Sequence, residues 1–361
     1  MKKIKVIVVD DSALMRKIIS DMINSQEDIE VIYTARNGED LLEKMSKYMP
    51  DVITLDVEMP KMDGITTLKE LKNRNYNIPV IMLSSISQRG TALTMECLEK
   101  GAFDFIPKPS GAISLDIEKV AEELLSKIRL ACNKNSHVDK NFVYKKPEAT
   151  SSEVINKVEH KVSTSLQKNK TKINAVVIGA STGGPKALYK VITELPSDLE
   201  VPVFVVQHMP VGFTKAFAER LNDNSKIKVT EASDGEIIEK NVVYVAPGGY
   251  HMEVGIDKKI HLNTEPTIWG VRPAVDKLFI SAVNVYGAHV LSVVLTGMGR
   301  DGAQGTAQVK DGGGITISED KSTCTIYGMP RAAFETGKVD EVLPLHNIAQ
   351  AIEKNVKEMG R

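Results

Sequence analysis

The chain has 361 residues, 42% of them apolar and 26% charged, with a formal net charge of −1. That length suits two domains rather than one core, and the near-neutral balance excludes the strongly basic domain that nucleic-acid binding usually needs. Cys97, Cys132 and Cys324 are odd in number and far apart, which excludes a disulfide framework and fits a reducing compartment.

In chain order, Ile4–Val9 is an apolar run of strand length. Asp10 and Asp11 end it too soon for a signal peptide, despite Met1-Lys2-Lys3 before it. No later run approaches the ~20 apolar residues of a membrane span. We therefore expect a cytoplasmic protein with no direct membrane insertion. Strands are predicted at Ile29–Thr34, Val52–Leu55, Val80–Leu83 and Phe103–Ile106. Helices are predicted at Leu14–Ile23, Glu39–Tyr48, Gly64–Lys72, Thr91–Lys100 and Leu115–Leu130. Strand–helix alternation of this kind predicts a parallel sheet covered on both faces. Residues 133–172 are rich in Lys, Ser, Thr, Asn and Glu and read as a flexible linker. From Ile173 a second α/β pattern begins, with strands at Ala175–Ile178, Val203–Val206, Val242–Val245, Val290–Leu295 and Gly312–Ile317. Its helices are predicted at Pro185–Glu194, Thr214–Asn222 and Ala274–Val285. The expected domains are 1–132 and 173–361.

Asp10 and Asp11 follow the first strand and Asp56 follows the third. In a doubly wound parallel sheet these ends share one edge. Gathered carboxylates need a cation, and oxygen ligands in a small space suit Mg²⁺. Asp56 could then attack a phosphoryl group, with Ser84 and Lys108 reaching the new phosphate oxygens.

The second domain opens with Gly179-Ala180-Ser181-Thr182-Gly183-Gly184-Pro185 after a strand, a pattern that matches a nucleophile elbow. His208 and Asp301 also follow strands. A hydroxyl, an imidazole and a carboxylate on one edge can form a triad. Ser181 would attack an ester carbonyl, His208 would take its proton and Asp301 would orient His208. Backbone N–H groups at or near Thr182 and Met298 would stabilise the oxyanion. His251 is a rival base, and Asp234 or Asp276 could replace Asp301. The turn could also bind a dinucleotide phosphate, although it is not G-x-G-x-x-G and Gln207-His208 stands where a ribose-binding acid is expected. A DNA-binding output is a third possibility, opposed by the lack of a helix-turn-helix signal or a basic stripe.

Val8-Val9-Asp10-Asp11-Ser12, Leu55-Asp56-Val57-Glu58-Met59-Pro60, Asp63-Gly64, Ser84-Ser85 and Pro107-Lys108-Pro109 resemble a two-component response-regulator receiver. The resemblance implies a flavodoxin-like (βα)5 fold with Asp56 as phosphoacceptor. It implies that Asp11 and Asp56 are the main Mg²⁺ ligands, with support from Asp10 and the Glu58 backbone carbonyl. Ser84 and Lys108 would sense the phosphate, Phe105 would be the aromatic switch, and the Lys108–Pro109 bond is expected to be cis.

The Ser181 turn, Gln207-His208-Met209-Pro210, Ala246-Pro247-Gly248-Gly249-Tyr250-His251, Arg272-Pro273-Ala274-Val275-Asp276, the Thr296–Gly302 stretch and Tyr327-Gly328-Met329-Pro330 resemble the CheB family of chemotaxis methylesterases. That resemblance implies a doubly wound, mostly parallel catalytic domain with a Ser181–His208–Asp301 triad. It implies hydrolysis of glutamate methyl esters on chemoreceptors, deamidation of receptor glutamines, and no cofactor for ester hydrolysis. It also implies a chemotaxis histidine kinase as phosphodonor. Ala274 and Ser318 depart from the family's more frequent Ser and Gln, away from the triad.

Overall fold

The computed structural model describes residues 3–109, 114–132 and 172–358; the segment expected to be a linker lies outside them except for Lys172. The first unit contains β1 (Ile4–Val9), α1 (Ala13–Asn24), β2 (Ile29–Ala35), α2 (Gly38–Lys44), β3 (Val52–Asp56), α3 (Gly64–Asn73), β4 (Val80–Ser84), α4 (Gln88–Lys100), β5 (Asp104–Pro107) and α5 (Ser114–Cys132). Its strands are parallel in the order β2-β1-β3-β4-β5. Short polar residues start the helices: side-chain oxygens of Ser12, Asn37, Asp63 and Ser87 each accept an N–H of the first turn. The order reverses between β1 and β3, so Asp10, Asp11 and Asp56 meet at the switch point.

The second unit contains β6 (Ala175–Ala180), α6 (Gly184–Ile192), β7 (Val203–Gln207), α7 (Phe213–Asn224), β8 (Lys228–Glu231), β9 (Val242–Val245), β10 (His251–Val254) and β11 (Ile260–Asn263). It continues with α8 (Val275–Tyr286), β12 (Val290–Val294), α9 (Ala303–Asp311), β13 (Ile315–Glu319), α10 (Met329–Glu335), β14 (Glu341–Leu343) and α11 (Leu345–Glu358). Seven parallel strands lie in the order β14-β13-β12-β6-β7-β9-β8, and β10–β11 is a separate antiparallel hairpin. Val176 and Ile178 of β6 face the core shared with α6, α7 and α11, whereas Ala175 and Val177 face the α8 and α9 side. Such a strand reads as a continuous apolar run because both faces are buried.

The sequence missed β8, β10, β11, β14, α9, α10 and α11. The edge strands β8 and β14 are short and partly exposed, so their hydrophobic period is weak. Residues 312–314 turn rather than pair, with Gly313 at φ 89°, so β13 starts at Ile315 rather than Gly312. The Lys108–Pro109 bond is not cis: Lys108 N–H bonds Ser84 O at 2.7 Å as β5 ends, and the cis peptide among the described residues is Arg272–Pro273. No described helix is long and apolar enough to cross a membrane.

The two units touch along α4, β5 and α5 of the first. Arg220 on α7 donates to both carboxylate oxygens of Glu99 on α4, at 2.7 and 2.5 Å. The Phe105 and Phe213 rings lie 4.6 Å apart, and Ser126 on α5 donates to Met298 Sδ at 3.5 Å. The first unit therefore contacts the second through an ion pair, an aromatic pair and a hydroxyl–thioether contact.

The loops after β6, β7 and β12 each enter a helix through a glycine with left-handed φ: Gly183 at 77°, Gly212 at 89° and Gly302 at 90°. A side chain costs roughly 1–2 kcal/mol in that conformation. At Gly302 a Cβ would also lie 2.9 Å from Val275 Cγ1, whereas at Gly235, with φ 75°, it meets nothing within 4 Å. Gly302→Ala is expected to lower stability in denaturant unfolding more than Gly235→Ala; equal losses would show that the Val275 contact relaxes freely.

Candidate active site and acidic cluster

Ser181, His208 and Asp301 follow β6, β7 and β12, which are neighbours in the sheet. Ala180 pairs with Gln207 in register, and His208 N–H bonds Ala180 O at 3.1 Å. Ser181 and His208 therefore leave adjacent strands side by side. Gln207 Nε2 donates to Ser181 O at 3.1 Å and His208 O at 2.9 Å, tying the two backbones together. The glycines of the elbow are filled by this chain: a Cβ on Gly183 would meet Thr325 and one on Gly184 would meet Gln207 Oε1. This is a packed turn, and it favours the elbow over the dinucleotide reading.

Asp301 Oδ2 lies 2.8 Å from His208 Nε2 and accepts Val275 N–H at 2.6 Å. Its Oδ1 accepts N–H groups of Asp276 and Gly302, at 2.9 and 3.0 Å. With Nε2–H held by the carboxylate, Nδ1 is the ring nitrogen left to act as base. Burial opposes charge on Asp301, but His208 and the N–H groups of Asp276 and Val275 outweigh it and hold the carboxyl below its ordinary value. Gly179 lets α8 approach, since a Cβ there would lie 2.3 Å from Val275 Cγ1. Gly297 also passes close to Ser181, since a Cβ on it would lie 2.8 Å from Ser181 Cβ. Thr182 is buried, and Met298, the next residue after Gly297, is half-exposed.

Asp276 does not replace Asp301; it lies behind it. Its Oδ1 accepts Gly302 and Gly305 N–H at 3.0 and 2.7 Å, and its Oδ2 accepts the Trp269 indole N–H at 3.0 Å. Burial, followed by the charge of Asp301, pushes its carboxyl above the ordinary value. Asp234 caps a loop, accepting Leu262 N–H, and the buried His251 bonds Pro266 O through Nε2. Sequence reading did not assign roles to Gln207, Trp269 or Glu319. The first two lie in or beside quoted motifs, but a motif does not reveal which atoms meet.

In the first unit, ligand atoms of Asp10, Asp11 and Asp56 lie within 4.8 Å of one another. Lys108 Nζ is 2.8 Å from Asp10 Oδ2 and 2.7 Å from Asp56 Oδ2. Both oxygens are buried and lack an aligned hydrogen bond despite that charge contact. Burial pushes the Asp56 carboxyl up to about 6, against the pull of Lys108. Three carboxylates whose oxygens lie this close, with one ammonium group to offset two of them, form an oxygen-only donor set that fits a hard divalent cation. Glu58 N–H bonds Asp56 Oδ1 at 3.3 Å, so its backbone adjoins the cluster. The Ser84 hydroxyl instead faces α4, bonding Gly90 O at 3.2 Å and accepting from Thr94 Oγ1 at 2.6 Å. Phe105 is buried against the second unit.

The fold and site define a phosphorylation-type receiver joined to an α/β output domain with a Ser–His–Asp constellation. Residues 6–118 match the response regulator receiver domain and residues 176–352 match CheB methylesterase. A protein-glutamate methylesterase/protein-glutamine glutaminase of Clostridium acetobutylicum is 59% identical over 361 residues, covering 100% of both chains. One of Pyrococcus horikoshii is 46% identical, covering 99% of this chain and 94% of its own. The Thermotoga maritima CheB methylesterase catalytic domain is 43% identical over 51% of this chain and 99% of its own, with a TM-score of 0.49. The chain belongs to the protein-glutamate methylesterase/protein-glutamine glutaminase (CheB) family.

Glu319, at the end of β13, accepts Thr296 N–H at 2.8 Å and the Thr323 hydroxyl at 3.0 Å. Burial raises its carboxyl above the ordinary 4.5, against those donors. A raised carboxyl binds its proton more tightly in the folded state, so its contribution to stability falls as pH rises above about 4.5. Glu319→Gln should therefore be at least as stable as wild type at pH 7, with the difference shrinking towards pH 4. Denaturant unfolding across that range checks this; a less stable variant at pH 7 would mean the charge itself is needed.

Proposed function

We propose that this chain is a cytoplasmic protein-glutamate methylesterase that removes methyl groups from chemoreceptor glutamates, deamidates receptor glutamines, and is activated by phosphorylation of Asp56. The observation that carries the reading is the His208 Nε2–Asp301 Oδ2 contact of 2.8 Å at the strand edge from which Ser181 emerges.

Ser181 Oγ attacks the ester carbonyl while His208 Nδ1 takes its proton, giving a tetrahedral oxyanion. Backbone N–H groups of Thr182 and Met298 stabilise that charge, each such donor being worth about 10²–10³ in rate. Asp301 stabilises the imidazolium and keeps its ring oriented. His208 returns the proton to the departing methoxy oxygen, releasing methanol and leaving an acyl-enzyme. Water activated by His208 then attacks the acyl carbon, and glutamate leaves as Ser181 is reprotonated. With a glutamine substrate the leaving group is ammonia.

In the receiver, Asp56 accepts a phosphoryl group from a histidine kinase. Asp10, Asp11, Asp56 and the Glu58 carbonyl would hold Mg²⁺, which neutralises negative charge during the transfer. Phosphate oxygens on Asp56 would recruit Lys108 and draw the Ser84 hydroxyl from Gly90 and Thr94. Those partners are on α4, which also carries Glu99 against Arg220, while the switch residue Phe105 lies against Phe213. Weakening this contact would uncover the rim where Ser126 touches Met298.

Methanol release from methylated receptor should vanish in Ser181→Ala and fall less in Met298→Ala, which keeps its backbone N–H. Near-full activity without Ser181 would end the nucleophile assignment. Arg220→Glu places like charges beside Glu99 and should raise the rate of the unphosphorylated chain towards that seen with a phosphodonor. An unchanged rate, with the 173–361 fragment no faster than the full chain, would refute autoinhibition.

A further inference from the structure

Trp269 is the only tryptophan in the chain and is 54% exposed. Burial of so large an aromatic is ordinarily favourable, so its exposure asks for a reason. It is also fixed in place. Ile268 and Val271 exchange backbone hydrogen bonds at 3.2 and 3.0 Å, and Trp269 takes a left-handed φ of 55° at that tip. Arg272 Nη1 donates to Thr264 O and Glu265 O at 2.7 and 2.9 Å, bracing the base of the loop.

Two further contacts connect the ring to the triad. Its N–H donates to Asp276 Oδ2 at 3.0 Å, and Asp276 N–H donates to Asp301 Oδ1 at 2.9 Å. The Arg300 guanidinium carbon lies 4.9 Å from the centroid of the Trp269 ring, and Arg300 immediately precedes Asp301. Backbone strain and a rigid exposed aromatic next to a reactive centre are features of recognition sites.

We propose that Trp269, oriented by Asp276 and stacked with Arg300, is a specificity platform that grips the polypeptide segment carrying the scissile glutamyl ester. The inference rests on the esterase reading above. The ring offers apolar contact area to aliphatic side chains of the segment, and Arg300 supplies positive charge beside it. Each cleaved ester leaves a carboxylate, so a segment with several such side chains becomes progressively more anionic. Arg300 therefore complements the partly demethylated substrate. A free small ester has no flanking segment for the platform to hold.

The test uses the full chain with acetyl phosphate and Mg²⁺. The probes are a methylated chemoreceptor cytoplasmic fragment and N-acetylglutamate γ-methyl ester. In Trp269→Ala the ratio of kcat/KM for the receptor to that for the small ester should fall about tenfold, through KM for the receptor. Trp269→Phe, which keeps a ring but loses the N–H held by Asp276, should fall between the two. An unchanged ratio, whether both activities persist or both fall together, would overturn the platform. A wild-type chain inactive on both probes would instead sink the esterase reading, and this inference with it. Thermal melts of both variants verify that the fold is retained.

Discussion

A carboxylate taken out of water must recover its solvation from fixed donors, or it takes up a proton. Asp301 meets that condition with the imidazole of His208 and the N–H groups of Val275, Asp276 and Gly302. Three of these donors belong to the backbone at two helix starts, so the carboxylate is held by rigid elements. The site depends on this arrangement. Asp301 can fix the imidazole only while it stays charged, and it stays charged only while α8 presses its first turn against the end of β6. Gly179 permits that approach, which ties a glycine before the nucleophile to the charge of a residue on a distant strand.

A second buried carboxylate behind the first would normally destabilise such a site. Asp276 is accommodated because Gly302 shares its N–H between the two carboxylates, while Gly305 and the indole of Trp269 donate to Asp276. Of the pair, Asp301 keeps the charge and Asp276 is pushed upward. The hydrogen bond from its indole to Asp276 also fixes the direction of the exposed Trp269 ring.

The receiver solves a related problem differently. Its carboxylates lean on one ammonium group, Lys108, and two of their oxygens lack an aligned donor. Such a cluster is poised to take a cation or a phosphoryl group, each of which redistributes the contacts around it. α4 is placed to feel the change, because Ser84 bonds one end of it and Arg220 of the catalytic unit bonds the other. A packed helix bonded at both ends responds as a rigid body, which suits it to carry a local charge event across the domain contact.

Much of this was legible in the chain. Strand-length apolar runs located the sheets, because a strand buried on both faces has to be apolar throughout. Acidic, hydroxyl and imidazole residues after those runs could be placed on common rims, because parallel strands deliver their C-terminal ends to one edge. The short edge strands and the β10–β11 hairpin escaped notice, since half-exposed segments carry little hydrophobic period. Tertiary structure alone decided which carboxylate meets His208, through which ring nitrogen, and that Trp269 is anchored beside them. Spacing along a chain says nothing about such choices; they depend on how closely helices from distant segments pack, to within the length of a hydrogen bond.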